Sequence, residues 1–270
     1  MSQAFALALA AGVLVITWIV GGSLLAARRR RRLLRYSLTE AERRTLTEWL
    51  PVGRRLPPEL RDRLERLIAV FVGERCFVGC GGLTVTPEMK LAIASQACLL
   101  VLGRDTHVYD ELRAVLVYPS QFIVPEQWHD EHGVVTDEER VLAGQAWDQS
   151  RIILSWEDVG ARGDDGDAFN VVIHEFAHYL DHESGGAPWI RDATARRRWR
   201  QLLDAELERL RDAVERGERT LLDPYATEDR AEFFAVVSEA FFEEPRHLAQ
   251  SLPELYAALR ATYRLDPAAW

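Results

Sequence analysis

The chain has 270 residues, 48% apolar and 28% charged, proportions that exclude a disordered, collagen-like or disulfide-scaffold protein. Its formal charge of −9 hides an asymmetry: residues 1–35 carry six Arg (Arg28 to Arg32 and Arg35) and no acid, and the remainder holds 27 basic against 42 acidic side chains. Such a remainder repels nucleic acid, and three cysteines, Cys76, Cys80 and Cys98, read as buried thiols in a reducing compartment rather than as a framework of bridges.

The first predicted element is greasy. Residues 1–27 contain no charged side chain, and Phe5 to Leu25 is almost entirely Leu, Val, Ile, Ala and Gly. As a helix this stretch would rise about 31 Å, close to the hydrocarbon thickness of a bilayer. A cleaved signal peptide carries its positive charge before the apolar run, whereas here the charge follows it. The pattern therefore predicts a transmembrane helix over 4–27 and a basic juxtamembrane segment over 28–37. The positive-inside rule then gives a single pass through the inner (cytoplasmic) membrane with the body in the cytoplasm. A stop-transfer signal and contact with anionic lipid suffice to explain the Arg run.

Amphipathic helices follow over Leu38–Trp49 and Pro58–Val72, broken by Pro51, Gly53 and Pro57-Pro58. Gly79-Cys80-Gly81-Gly82 is a turn. Thr86 and Pro87 open a helix that stops at Gly103. Arg113–Tyr118 and Arg151–Trp156 read as strands, the second a candidate sheet edge for an extended peptide. The glycine-rich loop Asp158–Asp167 reads as a lid. Asp167 is the expected cap of a helix from Ala168 to about His182, closed by Gly185-Gly186. A charged helix spans about Asp192–Arg216, with a solvated face of alternating sign. Further helices cover Thr227–Glu244 and Glu254–Arg264. Mostly helices with a few central strands make the fold class α+β.

The chemistry concentrates in His174-Glu175-Phe176-Ala177-His178, an H-E-x-x-H on a predicted apolar helix. Residues four apart share a helix face, so both imidazoles can reach one cation. Glu175 projects to the side, where it can touch a water on the metal without ligating it. A catalytic zinc site needs a third protein ligand and an open position. Asp181 and Ser184 stand where metzincins carry Gly and His, which excludes that class. Asp181 lies about 10.5 Å along the axis from His174, so its expected role is to hydrogen-bond a ligand His. The third ligand should come from the helix over 227–244, apolar nearly all round but interrupted by Glu232 and Glu239, seven residues apart on one face. Buried carboxylates need partners, and the residues alone leave these two level.

From Cys80 to the C-terminus the sequence resembles the Mlc titration factor A family of zinc peptidases, a gluzincin group related in fold to the catalytic domain of anthrax lethal factor. The resemblance is carried by Gly79-Cys80-Gly81-Gly82-Leu83, Ala94 to Leu100, Val117-Tyr118-Pro119-Ser120 and Leu154-Ser155-Trp156. It continues through Asn170 to Asp181, Tyr225-Ala226-Thr227 and Ala231 to Glu239. It implies a mainly helical, zincin-like peptidase domain over 76–270, preceded by a helical region over 38–75. It implies one zinc ion per chain held by His174, His178 and Glu232, with Glu175 as catalytic base and Tyr225 near the reacting carbonyl. With the anchor predicted from residues 4–27, the expected function is a membrane-anchored peptidase acting on peptides or proteins. The alternative is a non-catalytic regulator that sequesters a cytoplasmic partner such as a transcriptional repressor. Two departures stand out: the family commonly shows Gly-Glu-Ser-Trp where this chain has Gly144-Gln145-Ala146-Trp147, and its best-studied member is soluble whereas this chain carries a predicted anchor.

Overall fold

The computed structural model describes residues 25, 27–104, 109–120, 122–129, 135–142, 144–148, 150–160 and 169–270, with the backbone alone along 122–148. Helices α1 (Glu40–Trp49) and α2 (Pro58–Glu74) precede strand β1 (Cys76–Gly79). Helix α3 (Pro87–Leu100) crosses over to β2 (Ala114–Tyr118). Strands β3 (Phe122–His129), β4 (Val135–Leu142), β5 (Gly144–Asp148) and β6 (Arg151–Ser155) follow, then the short α4 (Trp156–Gly160). The C-terminal part is helical: α5 (Val171–Ser184), α6 (Ala193–Glu215), α7 (Arg230–Glu243), α8 (Pro245–Ser251) and α9 (Pro253–Tyr263).

The sheet runs β1-β2-β6-β5. The first three strands are parallel, in register Cys76↔Ala114 and Ala114↔Arg151, and β5 closes one edge antiparallel to β6 with Gly144 opposite Leu154. β6 is therefore interior and not the edge it could have been; that place belongs to β5, which carries Gln145. Interior position explains its composition, since Ile152 and Leu154 are fully buried together with Val115 and Val117 of β2. β3 and β4 form a separate antiparallel hairpin. One hydrophobic cluster extends from Leu38 to Leu265, and α5 lies in it against β6, α3 and α7. α3 is buried on every side and begins as expected, with Thr86 accepting the Met89 N–H at 3.2 Å and Pro87 at the first position. α6 buries one stripe, Trp199, Leu203, Leu207 and Leu210, and leaves its charged face outside.

Gly103 has a different reason from the one its place after a helix suggests. The helix ends at Leu100, and Gly103 is not in the left-handed region. A Cβ there would meet the Tyr263 carbonyl oxygen and stand 2.7 Å from that of Arg264. The glycine lets the chain approach the end of α9, where Arg104 Nε donates to the Thr262 carbonyl at 2.6 Å. Backbone cannot yield as a side chain can. Gly103→Ala is therefore expected to destabilise the fold by about 1–3 kcal/mol, seen as a lower urea midpoint at unchanged slope.

The N-terminal expectation is corrected. Among the described residues no helix is long and apolar enough to cross a membrane, which overturns the single-pass inner-membrane location. Nearly all of the 4–27 stretch lies outside the described residues. The basic segment, read as lipid-facing, is partly spent on the protein itself. Arg29 donates to the Gly73 carbonyl, Arg30 reaches Asp110 at 3.4 Å and Glu74 at 3.7 Å, and Leu33 packs over Gly73. The Arg30 guanidinium, shared between Glu74 and Asp110, is engaged by the body of the protein. The lid expected over Asp158–Asp167 lies outside the described residues from 161 on, as do Asp167 and the helix start placed at Ala168.

Candidate metal centre

α5 is fixed at both ends. Asn170, not Asp167, is the cap, its Oδ1 accepting the Ile173 N–H at 3.0 Å. At the other end Gly185 takes a left-handed conformation at φ 65°, and the Gly186 N–H donates to Asp181 O at 2.8 Å. Between these stops the helix is anchored by Val172, Ile173, Phe176 and Ala177, all fully buried, with the Phe176 ring 5.1 Å from that of Tyr109 and 5.7 Å from that of Phe71. What remains is the His174/His178 face, turned toward α7.

α7 starts under Asp229, whose Oδ1 accepts the N–H groups of Ala231 at 2.7 Å and Glu232 at 2.9 Å. Glu232 thus sits in the first turn, where the helix dipole favours a carboxylate. Phe233, Phe234, Val237 and Phe241 bury the helix and fix its rotation.

The two helices bring three donors together. His174 Nε2 lies 3.0 Å from Glu232 Oε2 and 3.0 Å from His178 Nε2, and His178 Nε2 lies 3.3 Å from Glu232 Oε2. These residues form a group that could hold a metal ion. The level choice between the two acids separates here. Glu232 faces both imidazoles, whereas Glu239 touches only the far side of His174, its Oε1 2.7 Å from Nδ1. Among the described residues the hydrogen bond expected from Asp181 is not found: the carboxylate on the His174 imidazole is Glu239.

The charges follow from this arrangement. Burial pushes the Glu232 carboxyl up, but hydrogen bonds with His174 and His178 outweigh it and hold it at about 2. Burial disfavours charge on His174, yet Glu232 and Glu239 on its two sides overcome that and raise it to about 10. The position between the carboxylates is built for positive charge. Glu175 is 4% exposed, and burial lifts its carboxyl to about 7. Among the described residues its Oε2 has no hydrogen-bond partner, and a buried polar atom left so calls for an explanation. Tyr225 lies in the turn Pro224–Thr227, 47% exposed, with its ring 6.2 Å from that of His174; burial and the Glu232 charge raise its hydroxyl pKa.

The sequence reading missed Asn170 and Glu243. The Asn170 side chain donates to Glu243 Oε1 at 2.7 Å. Only the cap pattern, Asn just before an apolar helical run, could have drawn attention to the first of them. Cys76, Cys80 and Cys98 are free thiols apart from the centre, of which only Cys98 is buried.

Two imidazoles one helical turn apart, an acid from a facing helix and a buried carboxylate beside them are the parts of a metallopeptidase centre. The chain belongs to the glucose-regulated metallo-peptidase M90 family, whose model matches residues 24–264. It is 36% identical over 239 residues to Mlc titration factor A of Serratia proteamaculans, covering 83% of this chain and 89% of that protein. It is 37% identical over 238 residues to Mlc titration factor A of Pectobacterium atrosepticum, covering 83% and 88%. An uncharacterised protein of Synechocystis is 37% identical over 229 residues, covering 82% of each chain.

Proposed function

We propose that this protein is a zinc-dependent peptidase of the gluzincin type, with His174, His178 and Glu232 as metal ligands and a catalytic domain over 76–270. The carrying observation is the spacing of the donors. A tetrahedral ion with bonds of about 2.0–2.1 Å holds its ligand atoms about 3.3 Å apart, and the three separations here are 3.0, 3.0 and 3.3 Å. Two nitrogens and one carboxylate oxygen are also the donor set zinc prefers over hard cations. Three ligands leave room for water and substrate.

A bound zinc ion would supply Lewis acidity to a water and to the scissile carbonyl. The protein residues do the rest. Glu175, 4% exposed and beside both imidazoles, takes the proton of the attacking water and returns it to the leaving amine. The Tyr225 hydroxyl, which interacts with Glu232 and whose ring lies 6.2 Å from that of His174, would turn to donate to the oxygen of the substrate carbonyl as charge develops there. The outer edge of β5, unpaired among the described residues, can pair with an extended peptide through its main chain. The name of the Serratia and Pectobacterium relatives, Mlc titration factor A, favours a regulatory protein partner as a second reading, alongside catalysis.

The test is metal analysis of the purified chain coupled to cleavage of a peptide library. One zinc per chain, peptide release abolished by a chelator and restored by added zinc is the expected result. A fully loaded protein that cleaves no peptide overturns the proposal.

A further inference from the structure

His174 is gripped at both ring nitrogens by acids of one helix. Glu232 and Glu239 stand two turns apart on α7, one at Nε2 and the other at Nδ1. Glu239 is 3% exposed, and both its oxygens are used: Oε1 at 2.7 Å from His174 Nδ1, and Oε2 accepting the backbone N–H of Asn170. Asn170 caps the helix that carries His174, and one turn further along α7 Glu243 accepts its side-chain amide. The start of α5 and the ring of His174 are therefore referred to the same carboxylate.

We propose that Glu239 is a positioning residue for the metal centre, fixing the tautomer and ring plane of His174 so that the Nε2 lone pair faces the ion. This rests on His174 being a metal ligand, as proposed above. A neutral imidazole has one N–H, and a carboxylate 2.7 Å from Nδ1 requires that hydrogen there. Nε2 is then a pure donor, directed at the point where His178 and Glu232 converge. The anionic acceptor also makes the imidazole a stronger base toward a metal. Because its other oxygen accepts from Asn170, the carboxylate is itself held against the start of α5, which fixes the acceptor that the ring meets.

The alternative is a carboxylate that merely ties two helices together. Zinc affinity of the full-length protein, by competition with a chromophoric chelator, separates the two, with ring ¹⁵N shifts of His174 in the zinc-loaded state as second readout. Glu239→Gln nearly preserves shape, but its amide presents a donor to either His174 or Asn170. We expect Glu239→Gln and Glu239→Ala to lose about 10–100-fold in zinc affinity and the Nδ1–H signature, while Glu243→Gln, which keeps an oxygen for the Asn170 amide, binds zinc as wild type does. If Glu239→Ala does not fold, Glu239→Gln decides alone. Wild-type zinc affinity in Glu239→Gln, with His174 still carrying its hydrogen on Nδ1, overturns the role by itself. Wild-type protein that takes up no zinc overturns the metal-centre reading and this role with it.

Discussion

Glu175→Gln is expected to retain zinc and to lose about 10²–10⁴-fold in peptide hydrolysis, the range for removal of a general base. Gln is close to Glu in volume, so the packing around a site only 4% exposed survives. The side chain is not among the three convergent donors, so the ion has no reason to leave. An amide oxygen cannot take a proton from water. The change should therefore fall on kcat with KM nearly constant, because Glu175 acts in the transition state and not on the resting peptide. Metal content by mass spectrometry and steady-state peptide release are the measurements. Undiminished kcat would remove Glu175 from the mechanism, and a zinc-free variant would make it a structural support of the ligands.

The metal helix could be read in the sequence because its signal is periodic and its stops are chemical. An H-E-x-x-H on an apolar run puts both histidines on one face whatever the surrounding fold, and Gly185-Gly186 ends the run by backbone preference alone. The choice between Glu232 and Glu239 could not be made that way. Residues seven apart share a face, so periodicity assigns them the same direction, and only the height of α5 along α7 decides which acid meets both imidazoles. The same information was missing for Asp181, which shares the ligand face in a helical projection while the hydrogen bond to His174 comes from another helix. Tertiary placement assigned that bond.

Local signals also failed where the chain competes with itself. Asp167 and Asn170 are both good helix caps, and the burial of Val171 and Val172 puts the start at the later one. Strands β3 and β4 were not anticipated because Pro125 and the run Asp137-Glu138-Glu139-Arg140 look like a polar loop. Among the described residues they pair only with each other, so no neighbouring strand of the main sheet sets their pattern. The reading of the Arg run as lipid-facing counted charges without their partners. Glu74 and Asp110, more than forty residues away in the chain, supply partners to Arg30, and sequence distance conceals such pairs.

Glu232→Ala is expected to abolish zinc binding at micromolar metal and, with it, all chelator-sensitive hydrolysis. The two imidazoles left behind are 3.0 Å apart on adjacent turns and make a two-point site without an anion, too weak to hold an ion that normally has three protein ligands. Loss of activity alone would not distinguish a lost ligand from a damaged fold, but linkage does. Zinc at about 100 times its dissociation constant stabilises a folded protein that binds it by about 2.7 kcal/mol, so wild type should melt higher with zinc than without. Glu232→Ala should fold, because the side chain lies at the helix start and not in the core, and should melt at one temperature regardless of zinc. Glu232→Asp draws the carboxylate back by one methylene, beyond the reach set by two rigid helices, and should behave like Ala despite its charge. A zinc-dependent rise in Tm of wild-type size in Glu232→Ala would show that the third ligand is another residue, and the pairing of α5 with α7 would then no longer account for the metal site.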